Sequence, residues 1–258
     1  MNEHVIALQN VVQRFPGAEQ AALAGISLEI RQGEFVAIVG PSGSGKTTLL
    51  RLVNRLADPS AGKVWVEGEE TATHDPVSLR RRIGYVFQGI GLFPHMSVAE
   101  NISITPRLLG WSATAIEERV NELLSLVRLP LTYRSRMPDE LSGGERQRVG
   151  VARALAAKPK IVLMDEPFGA LDPVTRDTLT RDYRALHEEL GLTSMLITHD
   201  VIEALLLADR IVVLNRGSIV ETGSPAELIR APKHEFTRTL MQMPEQQAKR
   251  LASLLEMH

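Results

Sequence analysis

The chain has 258 residues, 44% of them hydrophobic, enough to bury one large core or two small ones. Its 29 basic and 31 acidic residues leave a net charge of −2, which excludes a global electrostatic pull toward nucleic acid. It contains no cysteine, so disulfides, Fe–S clusters, thiolate zinc sites and cysteine nucleophiles are excluded.

The N-terminal Met1-Asn2-Glu3-His4 lacks the basic lead of a signal peptide. No apolar run approaches the roughly 18–20 residues that a membrane span requires. If the chain works at a membrane, other chains must supply the spanning helices. Alternating apolar positions lead to Phe35-Val36-Ala37-Ile38-Val39, which reads as a buried strand. Gly40-Pro41-Ser42-Gly43-Ser44-Gly45-Lys46-Thr47-Thr48 follows, and Leu49 to Val53 continues with helical character. Strand, glycine-rich turn and helix start form the context that a G-x-x-x-x-G-K-[ST] phosphate loop requires. Glycines let successive backbone N–H groups turn inward toward phosphate oxygens, and the helix start adds partial positive charge. Lys46 is expected to reach the β- and γ-phosphates, and the Thr47 hydroxyl to take a Mg²⁺ position. A mere strand-to-helix connector would not need the Lys-Thr pair, so the expected ligand is a nucleoside triphosphate.

Val64 to Gly68 and Ile83 to Gln88 read as further strands, with Arg80-Arg81-Arg82 between them as a short solvated patch. The texture then changes. Ile116, Val120, Leu123, Leu124 and Val127 recur at helical spacing, with Glu117, Glu118, Arg119 and Glu122 on other faces. Residues 89–160 are therefore expected to form a mostly helical insertion between strand-rich halves. Strand character returns at 160–166 and at Thr193 to Thr198, the second preceded by a helix that Gly191 stops. Ile211 to Leu214, Asn215-Arg216-Gly217 and Ser218 to Val220 read as a hairpin. Helices between the later strands predict a mainly parallel α/β sheet. The tail from Ala226 is expected to be helical, interrupted by Pro232 and Pro244.

Asp165-Glu166 ends an apolar strand, where an open α/β sheet places ligand-binding groups. Asp165 is expected to hold the metal's hydration shell and Glu166 to polarise the attacking water; a helix-capping acidic pair is the structural alternative. His199 also follows a strand, where its ring could donate to a γ-phosphate oxygen. Gln88 could touch the metal or its water, or make ordinary backbone bonds. Leu141-Ser142-Gly143-Gly144-Glu145 reads as a capped helix start with a second anion-binding end.

Taken in order, the phosphate loop, Gln88, Leu141 to Glu145, Asp165-Glu166, Gly169-Ala170-Leu171-Asp172 and His199 resemble the motif series of ATP-binding-cassette ATPases. The resemblance spans most of the chain. It implies a P-loop NTPase core with a mainly parallel sheet, an antiparallel β subdomain and an inserted helical subdomain. The corresponding division is 1–88 with 161–225 for the core, 89–160 for the helical segment and 226–258 for a short tail. It further implies ATP and Mg²⁺, with Thr47, Gln88 and Asp165 at the metal, Asp165 through water, and Glu166 and His199 in catalysis. Phe15 falls where the family packs an aromatic on adenine, although its chemistry equally suits a core.

In this family two copies stack head to tail. Ser142, Gly143, Gly144 and Glu145 would then contact the partner's nucleotide, and Asp172 would communicate between the sites. Glu145 departs from the commoner glutamine and brings a charge there. The runs from Gly89 to Ile102, Met164 to Pro173 and Thr198 to Ala204 resemble bacterial importer ATPases, especially those for glycine betaine, choline and related osmoprotectants. Implied partners are a second copy, transmembrane permease subunits and a periplasmic or lipid-anchored substrate-binding protein, with no nucleic acid. The implied location is the cytoplasmic face of a bacterial inner membrane. The tail would either support a dimer or pack on its own core.

Overall fold

The computed structural model describes residues 4–89 and 91–255, with side chains given up to residue 246. Met1 to Glu3 and Ile90 lie outside the described residues. In chain order the first half holds β1 (His4–Gln13), β2 (Leu23–Arg31), β3 (Phe35–Val39), α1 (Lys46–Val53), β4 (Ala61–Val66), β5 (Glu69–Glu70), α2 (Pro76–Arg82) and β6 (Ile83–Val86). Then come α3 (Val98–Leu108), α4 (Ala113–Leu126) and α5 (Gly143–Leu155). The chain closes with β7 (Ile161–Asp165), α6 (Pro173–Leu190), β8 (Thr193–Thr198), α7 (Val201–Leu207), β9 (Arg210–Asn215), β10 (Ser218–Gly223), α8 (Pro225–Arg230) and α9 (Glu235–Leu255).

Two sheets result. One is antiparallel in the order β2-β1-β4-β5. In β1 a bulge between Leu8 and Val11 centres on Asn10, whose φ is +49°, and resets the alternation so that Leu8 and Val11 both face inward. The other sheet runs β10-β9-β3-β8-β7-β6, parallel from β9 to β6. Every residue of β3, β7 and β8 is buried, as expected for strands covered on both faces. The β9–β10 hairpin turns at Arg216 and Gly217, both with positive φ, the signature of a type I′ turn.

One hydrophobic cluster packs α3, α4, α5 and α6 against one face of the parallel sheet, and a second joins its other face to α1 and the antiparallel sheet. Residue chemistry explains several departures from expectation. Arg119 is buried, not surface-facing; its guanidinium donates to the Leu155 and Ala156 carbonyls and so caps the end of α5. Two of the arginines at 80–82 are structural and not merely solvated. Arg80 donates to the Asn54 and Arg55 carbonyls, and Arg82 pairs with Glu69 and Glu67.

Pro232 separates α8 from α9, but α9 runs through Pro244. One proline removes a single helical hydrogen bond, and on a surface helix water can serve the freed carbonyl. The beginning of α9 packs inward: Met241 and Thr237 are buried, and Phe236 and Leu240 rest on the main cluster. Of the two roles open to the tail, packing on its own core accounts for these residues.

Gly84 of β6 marks a close approach of sheet and helical segment, since a β-carbon there would lie 2.7 Å from the Ala154 carbonyl of α5. Gly84→Ala is expected to lower stability by about 1–3 kcal/mol through overpacking, read from denaturant unfolding of the purified chain.

Candidate functional site

Parallel pairing puts several strand ends at one edge of the sheet. Val39 pairs with Thr198, Asp165 with Ile197, and Val86 with Met164. The loops after β3, β6, β7 and β8 therefore converge, which is where open α/β sheets bind ligands. A cleft of about 620 Å³ opens there, lined by Phe15, Ser42, Gly43, Lys46, Thr47, Thr48, Gln88, Glu166 and His199.

The loop from Gly40 to Gly45 is held from behind. A β-carbon on Gly40 would strike the Leu214 carbonyl, and one on Gly45 would strike the Ala22 carbonyl and the Leu23 side chain. Both positions also have positive φ. The hairpin turn braces the loop, with Gly217 N–H donating to the Ser44 carbonyl at 3.0 Å. Gly43 faces open space at φ +77°. The Ser44 hydroxyl is buried inside the loop, against the β-position of Gly40, with no hydrogen-bond partner in the chain. Pro41 lies in the same turn and Thr48 on the first turn of α1.

Lys46 lies within the cleft and donates to the Gly40 and Pro41 carbonyls at 2.8 and 3.0 Å. Burial pushes its pKa down, while the negative charges of Glu166 and Asp165 push it up. Thr47 Oγ1 donates to Asp165 Oδ1 at 3.4 Å. Burial raises the Asp165 pKa, the Thr47 hydrogen bond opposes this, and Glu166 adds to it. Hydroxyl and carboxylate oxygens are the ligands that suit Mg²⁺. Among the described residues no group of three His, Asp or Glu could hold a metal alone. That set fits an ion shared with substrate phosphates.

Glu166 sits at φ +44°, a strained conformation for a side chain of its size. Its Oε2 accepts from Gln88 Nε2 at 3.0 Å and lies 3.2 Å from His199 Nδ1. Both partners thus meet Glu166 directly in this state, whereas the sequence expectation aimed Gln88 at the metal and His199 at a phosphate. Phe15 is 46% exposed, so it is cleft wall and not core.

The structure does not bring Leu141 to Glu145 into that cleft, whose lining includes none of these residues. Ser142 caps α5 in a reciprocal box with Glu145: Ser142 N–H donates to Glu145 Oε2 at 2.7 Å and Glu145 N–H to Ser142 Oγ at 3.3 Å. Tyr133 donates to Glu145 Oε1 at 2.9 Å. The charge that distinguishes this position is therefore committed within its own chain, and these bonds, led by that from the Ser142 backbone, lower the Glu145 pKa. Gly143 and Gly144 open the helix, and a β-carbon on Gly144 would strike the Thr175 methyl. Asp172 caps α6, accepting from Thr175 N–H at 3.0 Å.

Sequence reasoning missed Tyr85, which stands close enough to Asp165 to feel its charge, and the buried Glu203 on the turn after His199. The spacing of Asp200 before α7 was the available signal, since an Asp cap fixes the turn that carries both His199 and Glu203. A larger cleft of about 1010 Å³ lies along β1 and β2, where Arg210 pairs with Glu34 and His4 Nε2 lies 3.2 Å from Glu29 Oε2.

A family model described as "ABC transporter" matches residues 23–169. The Bacillus subtilis (strain 168) choline transport ATP-binding protein OpuBA is 50% identical over 90% of this chain, which spans 61% of that relative's length. The Escherichia coli (strain K12) glycine betaine uptake system ATP-binding protein YehX is 47% identical over 85% of this chain and 71% of its own. Among solved structures, the dimeric post-hydrolysis state of the ATP-binding cassette MJ0796 bound to ADP and Pi is 35% identical with a TM-score of 0.76, covering 85% of this chain and 98% of that one.

Glu203 accepts from the Thr198 hydroxyl and is otherwise buried, and that burial pushes its pKa from 4.5 to about 7. The Thr198 hydrogen bond and Arg176 oppose the shift, while Asp200 and Glu166 reinforce it. The folded state then holds the proton more tightly than the unfolded chain, so stability falls as pH rises between those two values. A loss of about 3 kcal/mol across that window is expected, largely abolished in Glu203→Gln, from denaturant unfolding at several pH values.

Proposed function

We propose, because this chain belongs to the ABC transporter family, that it is the ATP-hydrolysing subunit of a membrane importer. The observation that carries this reading is Glu166, held at the mouth of the phosphate cleft between Gln88 and His199. In this reading residues 1–88 and 161–225 form the nucleotide-binding core, 89–160 present the signature turn, and 226–258 form a tail. Backbone N–H groups of Gly43, Gly45 and Lys46 receive the phosphates, with Phe15 against the adenine. Lys46 exchanges its carbonyl partners for phosphate oxygens. Thr47, Asp165 and Gln88 hold the metal site, Asp165 through water. Mg²⁺ bound there would neutralise developing charge on the phosphate oxygens.

Glu166 orients and polarises the attacking water, and His199 donates to the γ-phosphate. Two copies stack head to tail, so that Ser142, Gly143 and Gly144 of one copy complete the other's site. Glu145 supports that turn as its capping partner, and Asp172 lies at the junction between sites. The dimeric state of the MJ0796 cassette supports such an arrangement. ATP binding then favours the closed dimer and hydrolysis the open one.

A groove of about 500 Å³ beside Gln88, lined by Leu56, Phe87, Phe93 and Ile104 with Arg81, would receive a cytoplasmic helix of each permease subunit. No helix among the described residues is long and apolar enough to cross a membrane. The chain would accordingly sit on the cytoplasmic face of a bacterial membrane, held by that permease, with a substrate-binding protein delivering cargo. Choline and glycine betaine in the names of two relatives support an osmoprotectant cargo.

Glu166→Gln is expected to keep ATP binding, to slow turnover at least ~100-fold and to accumulate an ATP-bound dimer in sedimentation. Turnover at the native rate would remove Glu166 from the mechanism. Cargo is read separately: with permease and binding protein restored in vesicles, ATP should drive uptake of labelled glycine betaine or choline, and uptake of neither would overturn the cargo.

A further inference from the structure

Arg176 stands on the first turn of α6 with its guanidinium between two loops that the chain otherwise keeps apart. Its Nη1 meets Asp200 Oδ2 at 3.1 Å, directly after His199. Its Nη2 donates to the Gly169 and Leu171 carbonyls at 3.2 and 3.1 Å, in the loop that ends at Asp172. The second oxygen of Asp200 is already committed, accepting from the Ile202 and Glu203 N–H groups at 2.9 and 3.3 Å. Asp200 N–H in turn donates to Thr198 Oγ1 at 3.0 Å. The His199 turn is thus tied at one end through the Asp200 N–H and at the other through the carboxylate that Arg176 grips.

The loop held by Arg176 faces two ways. A β-carbon on Gly169 would lie 3.7 Å from His199 Cε1, so the loop passes beside that ring. At its other end, Leu171 lies 3.7 Å from the β-position of Gly143, and Thr175 presses on the β-position of Gly144. The same few residues therefore back both His199 and the glycine turn of α5. In a head-to-tail dimer these serve different nucleotides.

We infer that Arg176 is a positioning residue which, through Asp200, locks the His199 turn and the 169–172 loop into one unit, so that a change at either is felt at the other. The inference rests on the head-to-tail ATPase reading given above. A planar guanidinium can meet a carboxylate and two carbonyls from one position, whereas a lysine ammonium could hold Asp200 but not the whole set. Asparagine at 200 would keep the helix cap and remove the charge.

In the purified chain, Arg176→Met is expected to lower kcat for ATP about tenfold with KM changed less than about twofold. Cooperativity in ATP should fall toward unity. Asp200→Asn should cause the same loss, and the double variant should lose no more than either single one, because both break one link. Arg176→Lys should recover part of the rate. Losses that multiply in the double variant, or that track a fall in Tm, would overturn the link. Hydrogen exchange gives a readout independent of turnover: amides of 169–172 and of 199–203 should both exchange faster in Arg176→Met, and loosening of only one loop would also overturn it. A wild-type chain that does not hydrolyse ATP would sink the ATPase reading, while joint loosening would still support the link.

Discussion

Parallel register is the constraint from which the site follows. In an antiparallel sheet neighbouring strands end at opposite edges, and the phosphate loop, Gln88, Glu166 and His199 would be scattered. Here β3 sits between β8 and β9, with β7 and β6 beyond β8, all running the same way. Their C-terminal ends are forced to one edge. Both faces of such a sheet must be covered, which explains why β3, β7 and β8 are continuous apolar runs. Helices on one side and the antiparallel sheet on the other supply that cover.

Close approach does the second part of the work. Backbone carbonyls of Ala22, Leu214 and Ala154 each occupy the space where a side chain at Gly45, Gly40 or Gly84 would stand. The first two contacts press the phosphate loop onto its supporting strands, and the third presses the helical segment onto the sheet. Glycine at these positions is thus a matter of volume as much as of dihedral freedom. Lys46, Thr47 and the Glu166 carboxylate then face a cleft whose loop is held from behind.

Much of this was legible in the sequence because the motifs sit at strand ends, and strands that are buried on both faces are conspicuous. The β3 and β8 runs, the Gly191 stop and the β9–β10 turn all follow from local chemistry. The illegible parts are long-range. Nothing local to Arg119 says that it reaches the carbonyls at 155 and 156, and nothing near Arg80 points to the carbonyls at 54 and 55. Charged side chains with long stems read as surface until a specific acceptor is known. Likewise Glu145 reads as an unusual charge, and only the contact with Tyr133 and the cap on Ser142 show where that charge resides. Pro244 misleads for the opposite reason: a local rule is overridden where the helix is already anchored upstream of it, by the buried Thr237 and Met241.

The two carbonyl partners of Lys46 bear on how the loop keeps its shape. A buried ammonium left bare would favour local unfolding or loss of its proton. Here the Gly40 and Pro41 carbonyls accept from that ammonium, so the loop closes on its own cation. The loop is therefore pre-organised by contacts within its own chain, and that lowers the ordering cost of any anion it takes.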